Sequence, residues 1–169
     1  MRLNKSNPKN HTKWCLKQKR GIKLVDPNDN LCDVYIKKSK SSLNVLNSAI
    51  EINEVDWIAA TAYYARYFIF YAMLQKCGIK CEIHDCTITL MNFLLIDENI
   101  VDKKFFEEFE LAKDLRVETQ YYVSTNLDLD KLKKDSLGAR NFVLKIEEVI
   151  ENLTQEQIKK FRDKIKFEQ

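Results

Sequence analysis

Three basic side chains fall where the surrounding pattern is apolar: Arg66, His84 and Arg116. A cation turned inward needs a counter-charge, because burying it alone costs far more than any packing returns. Two arrangements satisfy that need. In the first, the carboxylates of Asp56, Glu82, Asp85 or Glu118 pair with the cations in a structural polar network, with the arginine stems buried and their heads at the rim. In the second, an external anion does so, and the three groups line a phosphate or nucleotide pocket. Asp85 would stand beside it, and Tyr63, Tyr64 and Tyr121 would offer ring faces to a base. If His84 also moved protons, as acid or base, with an arginine holding the phosphate, the site could do acid–base chemistry without a metal.

Other chemistries find little support. The chain has two histidines and no GxSxG, P-loop, GxGxxG or HExxH pattern. Cys77, Cys81, His84 and Cys86 are zinc-type ligands, but their spacings lack the paired CxxC knuckle, so neither a metal nor a cofactor is expected. Five cysteines are an odd number, and no leader with a cleavage site opens the sequence. Both points speak against a disulfide framework and for a cytoplasmic protein, with Cys15, Cys32, Cys77 and Cys86 as small core residues.

The elements that must position these residues follow from periodicity. From Asp56 to Leu74 the run DWIAATAYYARYFIFYAML carries a single interior charge, Arg66, and no polar face, which predicts a helix covered on most sides. Its alanines permit close approach of neighbours and its rings supply buried area. A membrane span is the rival for such a run, but a mid-span arginine costs about 2.5–3.5 kcal/mol. Glu51, Glu54 and Asp56 before it, and Lys76, Cys77 and Gly78 after it, fit a helix start and stop in water.

Around that rod the pattern predicts a short helix from His11 to Arg20 anchored by Trp14, and a second helix over 29–49 with Asn28 as cap. A fourth begins near His84, a fifth covers 103–122, and a sixth covers 128–152 with a stripe of Leu129, Leu132, Ser136, Ala139, Val143, Ile146 and Ile150. The last opens on the capping box Thr154–Gln157. Three glycines and two prolines leave few turns, so the fold class is all-α: an antiparallel up-and-down bundle of four to five core helices, an N-terminal arm and a C-terminal helix. Residues 1–28 form the arm and 29–169 the bundle. Net charge is +3 overall, yet residues 1–25 hold eight basic groups and no acid, so the arm can dock on its own acidic body, on a partner or on nucleic acid phosphates.

The order AYYARYF, CGIKCEIHDCTI, LAKDLRVETQYYV resembles the HEPN (higher eukaryote and prokaryote nucleotide-binding) superfamily over about Leu31–Val123, and more loosely through the sixth helix. The matching positions are Tyr63, Tyr64 and Ala65, then His84, then Arg116 and Tyr121. The resemblance implies an all-α bundle, commonly a homodimer, often paired with a minimal nucleotidyltransferase in toxin–antitoxin-like systems, and able to bind nucleotide or RNA. Ribonuclease members carry an Arg four to six residues before a His. Here the nearest arginine before His84 is Arg66, eighteen positions back, and Lys80 does not offer a guanidinium fork. A non-catalytic binder is therefore expected ahead of an endoribonuclease, with a scaffold for protein association as the further alternative, and no membrane partner.

Overall fold

A computed structural model of the chain describes residues 8–121 and 128–168. Residues 1–7, the first part of the 1–10 stretch expected to be mobile, and 122–127, where most of an expected loop at STNLD falls, lie outside the described residues.

The described residues form seven α-helices and one very small antiparallel ribbon: α1 (Pro8–Lys17), β1 (Lys23–Leu24), α2 (Asp29–Glu51), α3 (Val55–Lys76), β2 (Ile79–Lys80), α4 (His84–Met91), α5 (Lys103–Tyr121), α6 (Leu129–Asn152) and α7 (Gln155–Glu168). α4 runs directly into a π-helical turn, Asn92–Ile96. The fold is all-α, as the scarcity of turn residues and the helical periods require. No described helix is long and apolar enough to cross a membrane.

α3 is the hub. All but a few of its residues between Ile58 and Gln75 are buried, and its alanines at 59, 60, 62, 65 and 72 expose 3 % or less. α2 packs along it most extensively, followed by α6 and α5. Small side chains make this possible: Ser39 of α2 is fully buried and donates its hydroxyl to the carbonyl of Ala65 at 2.7 Å. Trp57 is an exception to the expected cover, being 59 % exposed near the start of the helix. α3 stops as expected at Gly78, whose φ of +65° places it in the left-handed region just past the C-cap Cys77.

The other helices follow their stripes. On α6, Leu132, Ser136, Ala139, Val143, Ile146 and Ile150 are buried, and on α7, Ile158, Phe161 and Ile165. The capping box at α7 forms in both directions: Gln157 N–H donates to Thr154 Oγ1 and Thr154 N–H donates to Gln157 Oε1. On α2 the expected stripe of Leu31, Tyr35, Ser42, Leu46 and Ala49 holds at its far end, where Leu46 and Ala49 are buried, while nearer the start Cys32 and Ser39 are buried and Leu31 is 42 % exposed.

The N-terminal segment departs most from expectation. The helix begins at Pro8, earlier than His11, and its anchors are Thr12 and Cys15, both fully buried, while Trp14 is 41 % exposed. The segment lies on its own body: α1 packs on α4, β1 pairs with β2, and Arg20 meets Glu82 at 2.7 Å. Cys15 and Cys86 are joined as a disulfide across 71 residues of sequence. This corrects the expectation of unpaired core cysteines. An odd count only requires that one thiol be left over, and here Cys32, Cys77 and Cys81 stay free and buried.

Candidate functional site

The site builds from Tyr63. This residue is fully buried in α3, so its hydroxyl hydrogen must find an acceptor within the protein. Nδ1 of His84 lies 2.5 Å away. Burial holds the Tyr63 phenol well above its ordinary pKa, so it remains protonated and donates. A neutral His84 consequently carries its own hydrogen on Nε2, on the side away from Tyr63. Tyr67, one turn further along α3, stacks on the His84 ring at 4.4 Å between centroids.

Partial burial of the ring, and then the Arg116 guanidinium, hold the His84 pKa below its usual value, with Asp85 opposing and Lys113 adding to the fall. The imidazole is neutral at pH 7. His84 is nonetheless an exposed residue, so one edge faces solvent while the other is pinned. It opens α4, whose first turn no side chain caps. Unpartnered amides and the helix dipole therefore favour an anion at the same place.

Arg116 comes from α5. Its guanidinium lies over the rings of Tyr63 and Tyr64, 5.4 and 5.2 Å from their centroids. Its Nε is buried and meets no hydrogen-bond partner. One turn back on α5, Lys113 pairs with Asp85 at 2.5 Å, tying α5 to the start of α4. The result is a patch made of a guanidinium, the Lys113–Asp85 ion pair and the N–H edge of an imidazole, backed by tyrosine rings, with Arg116 as its uncompensated cation among the described residues.

Of the seven expected site residues, Tyr63, Tyr64, His84, Asp85 and Arg116 come together. Arg66 and Tyr121 do not join them. Arg66 is three residues beyond Tyr63, and its guanidinium turns to α6, donating to the carbonyl of Asp135 at 3.1 Å and to Ala62 at 3.0 Å. It is only 2 % exposed, and burial pulls its pKa down to about 10 against the pull of Glu108 and Asp135, so it keeps its charge at pH 7. Gly138 makes the space: a Cβ there would stand 3.3 Å from Nη2. Arg66 thus lines a separate cavity of about 200 Å³ among α3, α5 and α6, with Glu108, Ala112, Leu132 and Asp135 on its walls. Tyr121 sits at the exposed end of α5, 69 % accessible, in a shallow depression with Asp56, Trp57 and Gln120.

Tyr67 and Lys113 are the site residues that sequence reasoning misses. A signal exists for each: Tyr67 is one helical turn from Tyr63, and Lys113 one turn from Arg116.

A helical bundle built around a buried alanine- and ring-rich helix, with a histidine–arginine–tyrosine patch at its side, is the class of protein that the fold and site define. The chain belongs to the HEPN domain family, whose model matches residues 33–159, three quarters of the sequence. That match begins inside α2 and runs through α6 into α7, past the Leu31–Val123 stretch on which the resemblance rests most firmly. No curated protein matches the chain.

Proposed function

We propose that this HEPN protein binds a nucleotide or an RNA phosphate at the Tyr63–His84–Arg116 patch and does not cleave it. Membership of a family with nucleotide- and RNA-related functions gives the ligand class. In this proposal Nε2–H of His84 and the Arg116 guanidinium hold phosphate oxygens, and Tyr64, partly exposed beneath Arg116, flanks a base.

One observation favours binding over cleavage. The only lone pair of the neutral imidazole is taken up by Tyr63, 2.5 Å away, so Nε2 can donate a hydrogen but cannot accept one from a ribose 2′-hydroxyl. The missing arginine four to six residues before His84 agrees. Homodimerisation and association with a minimal nucleotidyltransferase belong to the same proposal, and light scattering and co-purification test them.

The deciding experiment is calorimetric titration of the full chain with ATP and with a short single-stranded RNA, repeated for Arg116→Gln and His84→Ala. Saturable binding weakened about tenfold or more in either variant supports the proposal. No heat and no shift in melting temperature with either ligand refutes it. Incubation with total RNA checks the rival: cleavage by the wild type that disappears in His84→Ala makes the protein an endoribonuclease instead.

A further inference from the structure

His11 and Cys15 lie one turn apart on the same face of α1, and Cys86 faces them from α4. A ring nitrogen of His11 and the two sulfurs all lie within 4.8 Å of one another. None of these residues belongs to the His84 patch.

The tautomer of His11 follows from its neighbours. Thr89 donates its hydroxyl to the carbonyl of Asp85 at 3.0 Å, one turn back on α4. Its oxygen is then left to accept from Nδ1–H of His11, 2.6 Å away. Nε2 therefore holds a lone pair, and it is buried with no hydrogen-bond partner. A disulfide has no hydrogen to offer it. An orphaned lone pair on an imidazole that stands beside two sulfurs, with its other nitrogen fixed by a hydrogen bond, is the arrangement that metal-binding histidines adopt.

We propose that His11, Cys15 and Cys86 form a redox-gated zinc site. When the Cys15–Cys86 bond is intact, no metal binds. A thiol reductant opens it: two thiols supply two electrons and two protons, the S–S bond breaks, and two cysteine thiols and one reductant disulfide result. Zn²⁺ then displaces the two protons and is held by two thiolates and His11 Nε2, with the fourth tetrahedral position open to water. The sulfurs separate to about 3.8 Å around the ion, as bonds of ~2.3 Å demand. In either state α1 is fastened to α4, two residues from His84. Cys32, Cys77 and Cys81 stay out of this exchange; burial holds the first two at about 11 and 12 and raises the third as well, so their thiolates are scarce.

The test uses the full chain, oxidised or reduced by a phosphine under argon, titrated with Zn²⁺ against a chromophoric chelator. Free thiols are then alkylated and located by mass spectrometry. The expected result is one zinc per reduced chain, none per oxidised chain, and protection of Cys15 and Cys86 by the metal. His11→Ala should weaken binding about tenfold or more. Zinc uptake by the reduced wild type no greater than by Cys15→Ser/Cys86→Ser overturns the proposal. So does protection that falls on Cys32, Cys77 or Cys81, or an unchanged affinity in His11→Ala. Because alkylation is read on the wild type, a variant that fails to fold does not spoil the test.

Discussion

The Tyr63 hydroxyl and Nδ1 of His84 face each other across 2.5 Å, one buried within α3 and the other at the open start of α4. That single bond decides which hydrogen His84 presents. Tyr63→Phe removes it, frees Nδ1, and allows both neutral tautomers. Nitrogen-15 spectra of the ring should show one tautomer in the wild type and a mixture in the variant, with the midpoint of protonation moved upward because the neutral form loses its donor.

Arg116→Gln removes the cation that opposes protonation of His84. Burial still contributes, so the His84 pKa should rise toward, without reaching, its ordinary value. In the wild type the depressed pKa means that the unfolded chain binds the proton more readily. This contribution to stability is therefore complete above about pH 6.5 and is lost as pH falls through the folded value. Melting curves from pH 7.5 down to 5 should show that loss in the wild type and a smaller one in Arg116→Gln.

Arg66 should matter to folding and not to ligand affinity. Truncation to Ala enlarges the 200 Å³ cavity and strips Glu108 and the Asp135 carbonyl of their buried partner, costing about 3–5 kcal/mol. Arg66→Met refills the volume and should recover about half of that. Denaturant unfolding measures both. Nucleotide affinity in Arg66→Met should match the wild type; a tenfold loss there would return Arg66 to the ligand site.

Gly78→Ala should destabilise the chain by about 2–4 kcal/mol. Its φ of +65° suits glycine, and a Cβ would come within 2.5 Å of the Val25 carbonyl oxygen and 2.8 Å of the Pro27 nitrogen. It would also press on Arg162, whose Nη1 reaches the carbonyls of Val25, Cys77 and Gly78 at 2.8–3.0 Å. Adding Arg162→Ala should not rescue the variant, because the backbone contacts persist. Thermal melts of the single and double variants check this.

Reducing the Cys15–Cys86 bond in metal-free buffer should lower stability by up to about 4 kcal/mol, the loop-closure value for a cross-link of this span. Urea unfolding with and without a phosphine measures it. An identical midpoint in both would mean that α1 is held by its packing alone.

Periodicity reveals the helices here because each core stripe is spelled by residues with one simple preference, as on α6 and α7. It reveals the central helix for the opposite reason, since α3 has no polar side to spell. On α2 the stripe misleads at its start, where Cys32 and Ser39, small and ambiguous, are buried while Leu31 is exposed. Of the candidate site, the grouping of Tyr63, Tyr64, His84, Asp85 and Arg116 is legible in the sequence. Arg66 misleads because an apolar neighbourhood says that a cation is buried without saying against which helix, and the space Gly138 leaves on α6 decides that. The Cys15–Cys86 bond is invisible in sequence, since nothing local marks residues 71 positions apart as neighbours.

A rod sheathed on nearly every side has no edge from which to fray. Its peptide hydrogens can reach water only when α2, α5 and α6 have already let go, so deuterium should enter Ala59 to Leu74 last of all, at the rate of whole-molecule opening. Tyr63 stands in that slowest stretch, which gives the patch at His84 a floor that does not breathe.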